Sequence, residues 1–158
     1  MERMVIAAVV LFAACVVPSV AVEVPLLLKG RVYCDTCRCG FETPASKPIA
    51  GAIVRVECRD RTTSEVTFFK HGTTDATGNY RMLVYGDRGN ELCDAVLEES
   101  PDANCNKASP GRGRARVVLT RNNGISSNTR FANAMGFDRV APLTDCPQIL
   151  LQYREEDS

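Results

Sequence analysis

Histidine is nearly missing from this chain: His71 is the only one among 158 residues. A serine or cysteine nucleophile needs a base beside it, usually histidine, and a zinc site wants paired histidines or a second Cys-x-x-Cys. A single imidazole, set before Gly72 in a β-like stretch, reads as an exposed strand-end residue. The adjacent acids Glu98-Glu99 and Glu155-Glu156-Asp157 do not resemble two carboxylates converging across a cleft. A glycine-rich phosphate loop is absent, and so is any Asn-x-Ser/Thr glycosylation sequon. Net charge is also missing, since Lys+Arg and Asp+Glu both number 19, which gives no overall pull toward nucleic acid or an anionic membrane. The one basic stretch, Gly111-Arg112-Gly113-Arg114-Ala115-Arg116, has no interleaved aromatics and reads as a solvated loop entering a strand.

Long apolar runs are limited to one. Val5 to Val17 is apolar but short of the roughly 20 residues that span a membrane, and it leads through Pro18 to Ser19-Val20-Ala21, a small-x-small pattern suited to signal peptidase. Residues 1–21 are therefore expected to be a cleaved signal peptide, and residues 22–158 a single secreted domain with a short polar C-terminal tail. That polar tail carries neither a glycolipid-anchor signal nor a retention tetrapeptide. No membrane span is expected in the mature chain.

Cysteine, by contrast, is abundant. The leader removes Cys15 from a total of eight and leaves Cys34, Cys37, Cys39, Cys58, Cys93, Cys105 and Cys146, an odd set in an oxidising compartment where disulfides are the default. Cys34-Asp35-Thr36-Cys37-Arg38-Cys39 contains a Cys-x-x-Cys. A redox pair of that kind opens a helix in an α/β fold, whereas both flanks here are β-like. Structural disulfides are the expected use, with no cofactor, no metal site and no catalytic residue.

Hydrophobic alternation at period two dominates. Ala52, Val54, Val56 and Cys58 share one face of a strand over Ala52–Arg59, with Ile53, Arg55, Glu57 and Arg59 on the other. Leu26–Tyr33 is a less regular strand, placing Leu28, Gly30 and Val32 opposite Lys29, Arg31 and Tyr33. Val66–Phe69 and Tyr80–Tyr85, the latter with Tyr80, Met82 and Val84 inward, read as a hairpin around the Thr74–Asn79 turn. Leu92–Leu97 and Val117–Thr120 add two strands, Arg121-Asn122-Asn123-Gly124 is a turn, and Cys146–Tyr153 is a short helix with Pro147 in its first turn. The class is all-β: one antiparallel sandwich or barrel, immunoglobulin-like or transthyretin-like, stapled by disulfides.

Gly30-Arg31-Val32-Tyr33-Cys34-Asp35-Thr36-Cys37-Arg38, the later Gly40-Phe41, the Val54–Cys58 strand and Thr74-Asp75-Ala76-Thr77-Gly78-Asn79-Tyr80 together resemble the pollen allergen and extensin-like family typified by the olive pollen allergen Ole e I. The resemblance runs from about Leu27 to about Leu150, and Leu119–Ser126 looks especially like pollen-specific members from cereals. It implies a secreted, non-enzymatic β-rich plant protein of pollen or cell wall, active in pollen hydration, germination or tube growth, and a potential allergen. It also implies a pairing that cysteine counting leaves open among 15 possibilities: Cys34–Cys105, Cys37–Cys146 and Cys58–Cys93. Cys39 then remains as the free thiol, with Arg38 beside it to lower its pKa. The expected partner is a cell-wall polymer or an extracellular receptor; the alternative is a secreted ligand or inhibitor of a protein partner, because a stapled sandwich displays rigid loops.

Overall fold

The computed structural model describes residues 22–154, so the expected leader and the last four residues of the tail lie outside the described region. Ten strands run in order: β1 (Leu26–Asp35), β2 (Lys47–Pro48), β3 (Ile53–Asp60), β4 (Val66–Thr73), β5 (Asn79–Val84), β6 (Glu91–Glu99), β7 (Lys107–Ala108), β8 (Arg114–Val117), β9 (Thr129–Phe131) and β10 (Met135–Asp138), closed by the short helix α1 (Cys146–Leu151). They form two sheets. One has the order β4-β3-β6-β8, antiparallel throughout. The other is organised on β1, whose first half lies between β5 and β9 and whose second half lies between β2 and β10, with β7 beyond β10. Pairing is antiparallel except that β1 runs parallel to β9 and β10.

Alternation explains the sandwich core. Val54, Val56 and Cys58 of β3 are fully buried, and Ala95 and Cys93 of β6 and Ala115 and Val117 of β8 join them from the same sheet. Leu26, Leu28 and Val32 of β1 and Tyr80, Met82 and Val84 of β5 meet them from the other sheet. Each fully buried Leu or Val side chain contributes about 1.5–3 kcal/mol of transfer free energy. A bare glycine makes room for a ring at two places. Gly30 lies directly opposite Tyr80 in the register, and a Cβ on Gly30 would overlap the Tyr80 ring. Gly136 lies opposite Tyr33, and a Cβ there would come within 2.8 Å of the ring's Cζ. Tyr33 is consequently buried, although it shares the side of β1 that carries Lys29 and Arg31.

Two expectations about elements are corrected. Val66–Phe69 and Tyr80–Tyr85 do not form a hairpin: β4 extends to Thr73 and pairs with β3, while β5 pairs with β1 in the other sheet. The Asp75–Asn79 turn is a crossover between sheets. Its chemistry is that of a hairpin turn, with Gly78 at φ 77° and the Asp75 carboxylate accepting from Thr77 and Asn79 backbone N–H groups, so local sequence does not distinguish the two. The strand expected at Val117–Thr120 is instead Arg114–Val117, and Val118 is exposed.

Candidate functional site

The cysteine-rich end of β1 is built around Asp35. Its fully buried carboxylate accepts hydrogen bonds from the Cys37 N–H (3.2 Å) and the Gly40 N–H (2.7 Å) and lies 3.6 Å from the Cys39 Sγ. Thr36 donates its hydroxyl to the Ala45 carbonyl at 2.9 Å. The Cys-Asp-Thr-Cys string is therefore a loop-closing device, in which a short acidic side chain satisfies backbone donors that the turn leaves free. Arg38 takes φ 52°, and Gly40 at φ 82° completes the reversal.

Three disulfides join Cys34 to Cys105, Cys37 to Cys146 and Cys58 to Cys93. The first two anchor this loop to the β6–β7 connection and to α1. The third links directly opposed residues of β3 and β6. Cys58, Glu91 and Cys93 place possible metal-binding atoms within 4.8 Å of one another, but the two sulfurs are bonded to each other, which takes them out of the thiolate form a metal needs.

Cys39 is the free cysteine among the described residues and is partly buried. Its thiol pKa is raised, first by burial and then by the Asp35 carboxylate, against a lowering hydrogen bond with the Phe41 backbone. That corrects the expected activation by Arg38, whose guanidinium turns instead to the Val140 carbonyl (3.4 Å) and Asp138 (3.8 Å).

His71 is exposed on β4, where its Nε2 lies 2.8 Å from a Glu98 carboxylate oxygen and its ring meets Phe69 edge-on. It belongs to a charged lattice on the outer face of the four-stranded sheet. Glu57 has a side chain only 1% exposed although it faces away from the core, because Arg55 (2.9 Å), Arg114 (2.9 Å) and Arg59 (3.2 Å) lie over it. Asp94 receives Arg114 (2.9 Å) and Arg116 (2.6 Å), and Glu98 receives Arg55 at 3.2 Å. Burial alone would push the Glu57 pKa up; the hydrogen bonds of Arg114 and Arg59, with the charges of Arg114 and Arg55, outweigh it and hold the carboxyl below its ordinary value. Arg114 shows the mirror image: burial disfavours its charge, and Glu57 and Asp94 more than restore it. Two arginines of the basic stretch are thereby absorbed into a structural ion network. The third, Arg112, donates to the Gly40 carbonyl at 2.6 Å.

Sequence reading missed one further site. The outer face of the β1–β5–β9 sheet holds an open cleft of about 440 Å³, lined in part by Lys29, Arg31, Asn79, Arg81 and Phe131. The alternation of β1 put Lys29 and Arg31 on one side, but nothing local revealed that Arg81 and Phe131 flank Lys29. Among the described residues no helix is long and apolar enough to cross a membrane.

Comparison with known proteins agrees with this architecture. A crystal structure of the major plantain pollen allergen Pla l 1 superposes with a TM-score of 0.69 at 27% identity, covering 78% of this chain and all of that one. The Protein DOWNSTREAM OF FLC of Arabidopsis thaliana is 45% identical over 135 residues, spanning 85% of this chain and 82% of the relative. Pollen-specific protein C13 of Zea mays is 41% identical over 155 residues, 96% of this chain and 91% of its own length. The family model described as "Pollen protein Ole e 1 like" matches residues 25–154, and the chain belongs to that family.

Proposed function

We propose that the chain is a secreted, non-enzymatic protein of the pollen surface or plant cell wall that acts by binding at the cell exterior during pollen hydration, germination or tube growth. The observation that carries the reading is the disulfide framework. Three bonds pin one small sandwich, a pattern suited to an oxidising exterior, and it accompanies a cleavable leader expected to end at Ala21. A binding role is favoured over catalysis because His71, the only histidine, is occupied by Glu98, and the best-connected charges lock one another in place. Relatives named for pollen and for pollen allergy favour the same setting, and make recognition of this chain by antibodies of pollen-sensitised patients a natural expectation. Disruption of the coding sequence tests the role. Mutant pollen should hydrate or extend tubes more slowly than wild type, with rescue by the secreted chain but not by a version lacking residues 1–21; pollen of normal performance in the full knockout contradicts it.

A further inference from the structure

We infer that the cleft on the β1–β5–β9 face is a binding site for an acidic polysaccharide whose sugar rings carry carboxylates. The inference rests on the proposed exterior role and specifies the ligand class. Its basis is a cross-strand row. In the register of the sheet Lys29 lies directly between Arg81 on β5 and Phe131 on β9, and Arg31, two residues along β1 and on the same side, lies opposite Asn79. Like charges directly opposed in a sheet repel and cost stability, yet among the described residues no carboxylate lies within ion-pair distance of Lys29 or Arg81. Asp75, the one acid lining the cleft, is committed to its own turn. It accepts from Thr77 Oγ1 (2.6 Å), Thr77 N (2.9 Å) and Asn79 N (3.0 Å), and the charge of Arg81 is only a minor influence on it. Arg31 is shared with Glu42 at 3.0 Å.

The other sheet makes the contrast informative. There Arg55, Arg59, Arg114 and Arg116 each have a carboxylate within 3.2 Å, and Lys70 of β4, which has none among the described residues, donates to the Leu83 carbonyl at 2.9 Å. At the cleft Lys29 and Arg81, directly opposed across the strands, have neither a carboxylate nor a carbonyl partner for their side chains among the described residues, which is what an anionic ligand requires. Phe131 fixes the second half of the ligand's chemistry. Its ring is 74% exposed beside Lys29, and a flat aromatic surface offers the apolar C–H face of a pyranose a place to be buried while the ring's carboxylate reaches the cations. An acidic peptide would satisfy the charges but leave Phe131 without a planar partner. The neighbours Ala132 and Ala134 are small and keep that flank of the cleft open.

The test measures binding of the oxidised mature chain to polygalacturonate, to its fully methyl-esterified form and to poly-glutamate, at low and physiological salt. Polygalacturonate should bind, more weakly as salt rises, and esterification should abolish binding. Lys29→Glu and Arg81→Glu should each weaken it about tenfold. Phe131→Ala should weaken it measurably, and Lys107→Glu, an equal charge change on β7, should leave it unchanged, with all variants keeping the wild-type melting temperature within a few degrees. The inference is overturned by no binding of polygalacturonate, by equal binding of poly-glutamate, by insensitivity to Phe131→Ala, or by an equal loss in Lys107→Glu. Any of these can occur while the protein is still found outside the cell, which separates failure of the ligand assignment from failure of the exterior role.

Discussion

Cys37–Cys146 spans 109 residues of sequence, the longest of the three bridges, and replacing both partners by serine gives a worked test of how the framework stabilises the domain. In the chain-entropy model a free loop of that length corresponds to about 5 kcal/mol. The loop is not free, however, because Cys34–Cys105 remains. The unfolded path then runs three residues back from Cys37 to Cys34, across that bond, and 41 residues on from Cys105 to Cys146, an effective loop of about 44 residues and a loss of about 4 kcal/mol. A six-residue helix cannot hold itself, so α1 should detach locally, together with the contact between Phe41 and Tyr153, whose ring centroids are 5.0 Å apart. Equilibrium unfolding in guanidinium should show the lower stability together with a larger m, since the unfolded chain becomes more expanded. Amide exchange should show early loss of protection at 143–154. A loss below about 1 kcal/mol, or an equal loss in Cys39→Ser, would refute the reasoning, because Cys39 closes no loop.

Three more expectations come from particular side chains. The Cys39 thiol, with its pKa raised by burial and by Asp35, should be alkylated by iodoacetamide more slowly than a free cysteine at pH 7, with the rate rising to higher pH than for a model thiol; Asp35→Asn should accelerate it if the loop stays folded. Glu57 has a folded pKa below its unfolded value of about 4.3, so its contribution to stability is complete above that value and is lost as pH falls through the lower folded one. Glu57→Gln should therefore lower stability at pH 7 by about 2–3 kcal/mol, less than for a fully buried pair because the arginines are partly solvated, and flatten the pH dependence below the ordinary glutamate value of about 4.3. Gly30→Ala should cost about 1–3 kcal/mol in thermal or chemical denaturation, because its Cβ falls on the Tyr80 ring in the core.

Sequence reading reached the parts of the fold that obey local rules. Val54, Val56 and Cys58 on one side of β3, and Tyr80, Met82 and Val84 on one side of β5, alternate because one face of each strand meets the core. It failed where the deciding interaction was distant. The strand expected at Val66–Phe69 is the first half of β4, but β4 is exposed along nearly its whole length and carries no alternation to show its extent to Thr73 or its pairing with β3. β9 and β10 are short and join β1 in parallel after long connections, so neither turn chemistry nor period announces them. β8 does alternate, but its outward positions are Arg114 and Arg116, which look like a solvated loop until Glu57 and Asp94 are known to receive them. The cleft was illegible for the same reason: Lys29, Arg81 and Phe131 are far apart in sequence and are assembled only by strand register.

The central claim, an oxidised binding protein outside the cell, is tested most directly by intact-mass and N-terminal analysis of the protein recovered from fractionated pollen tubes. Recovery is expected in the wall and medium fractions, as a chain beginning at Val22 with six cysteines oxidised and a single alkylatable thiol at Cys39. A chain found in the cytosol with residues 1–21 still attached and its cysteines reduced would contradict it.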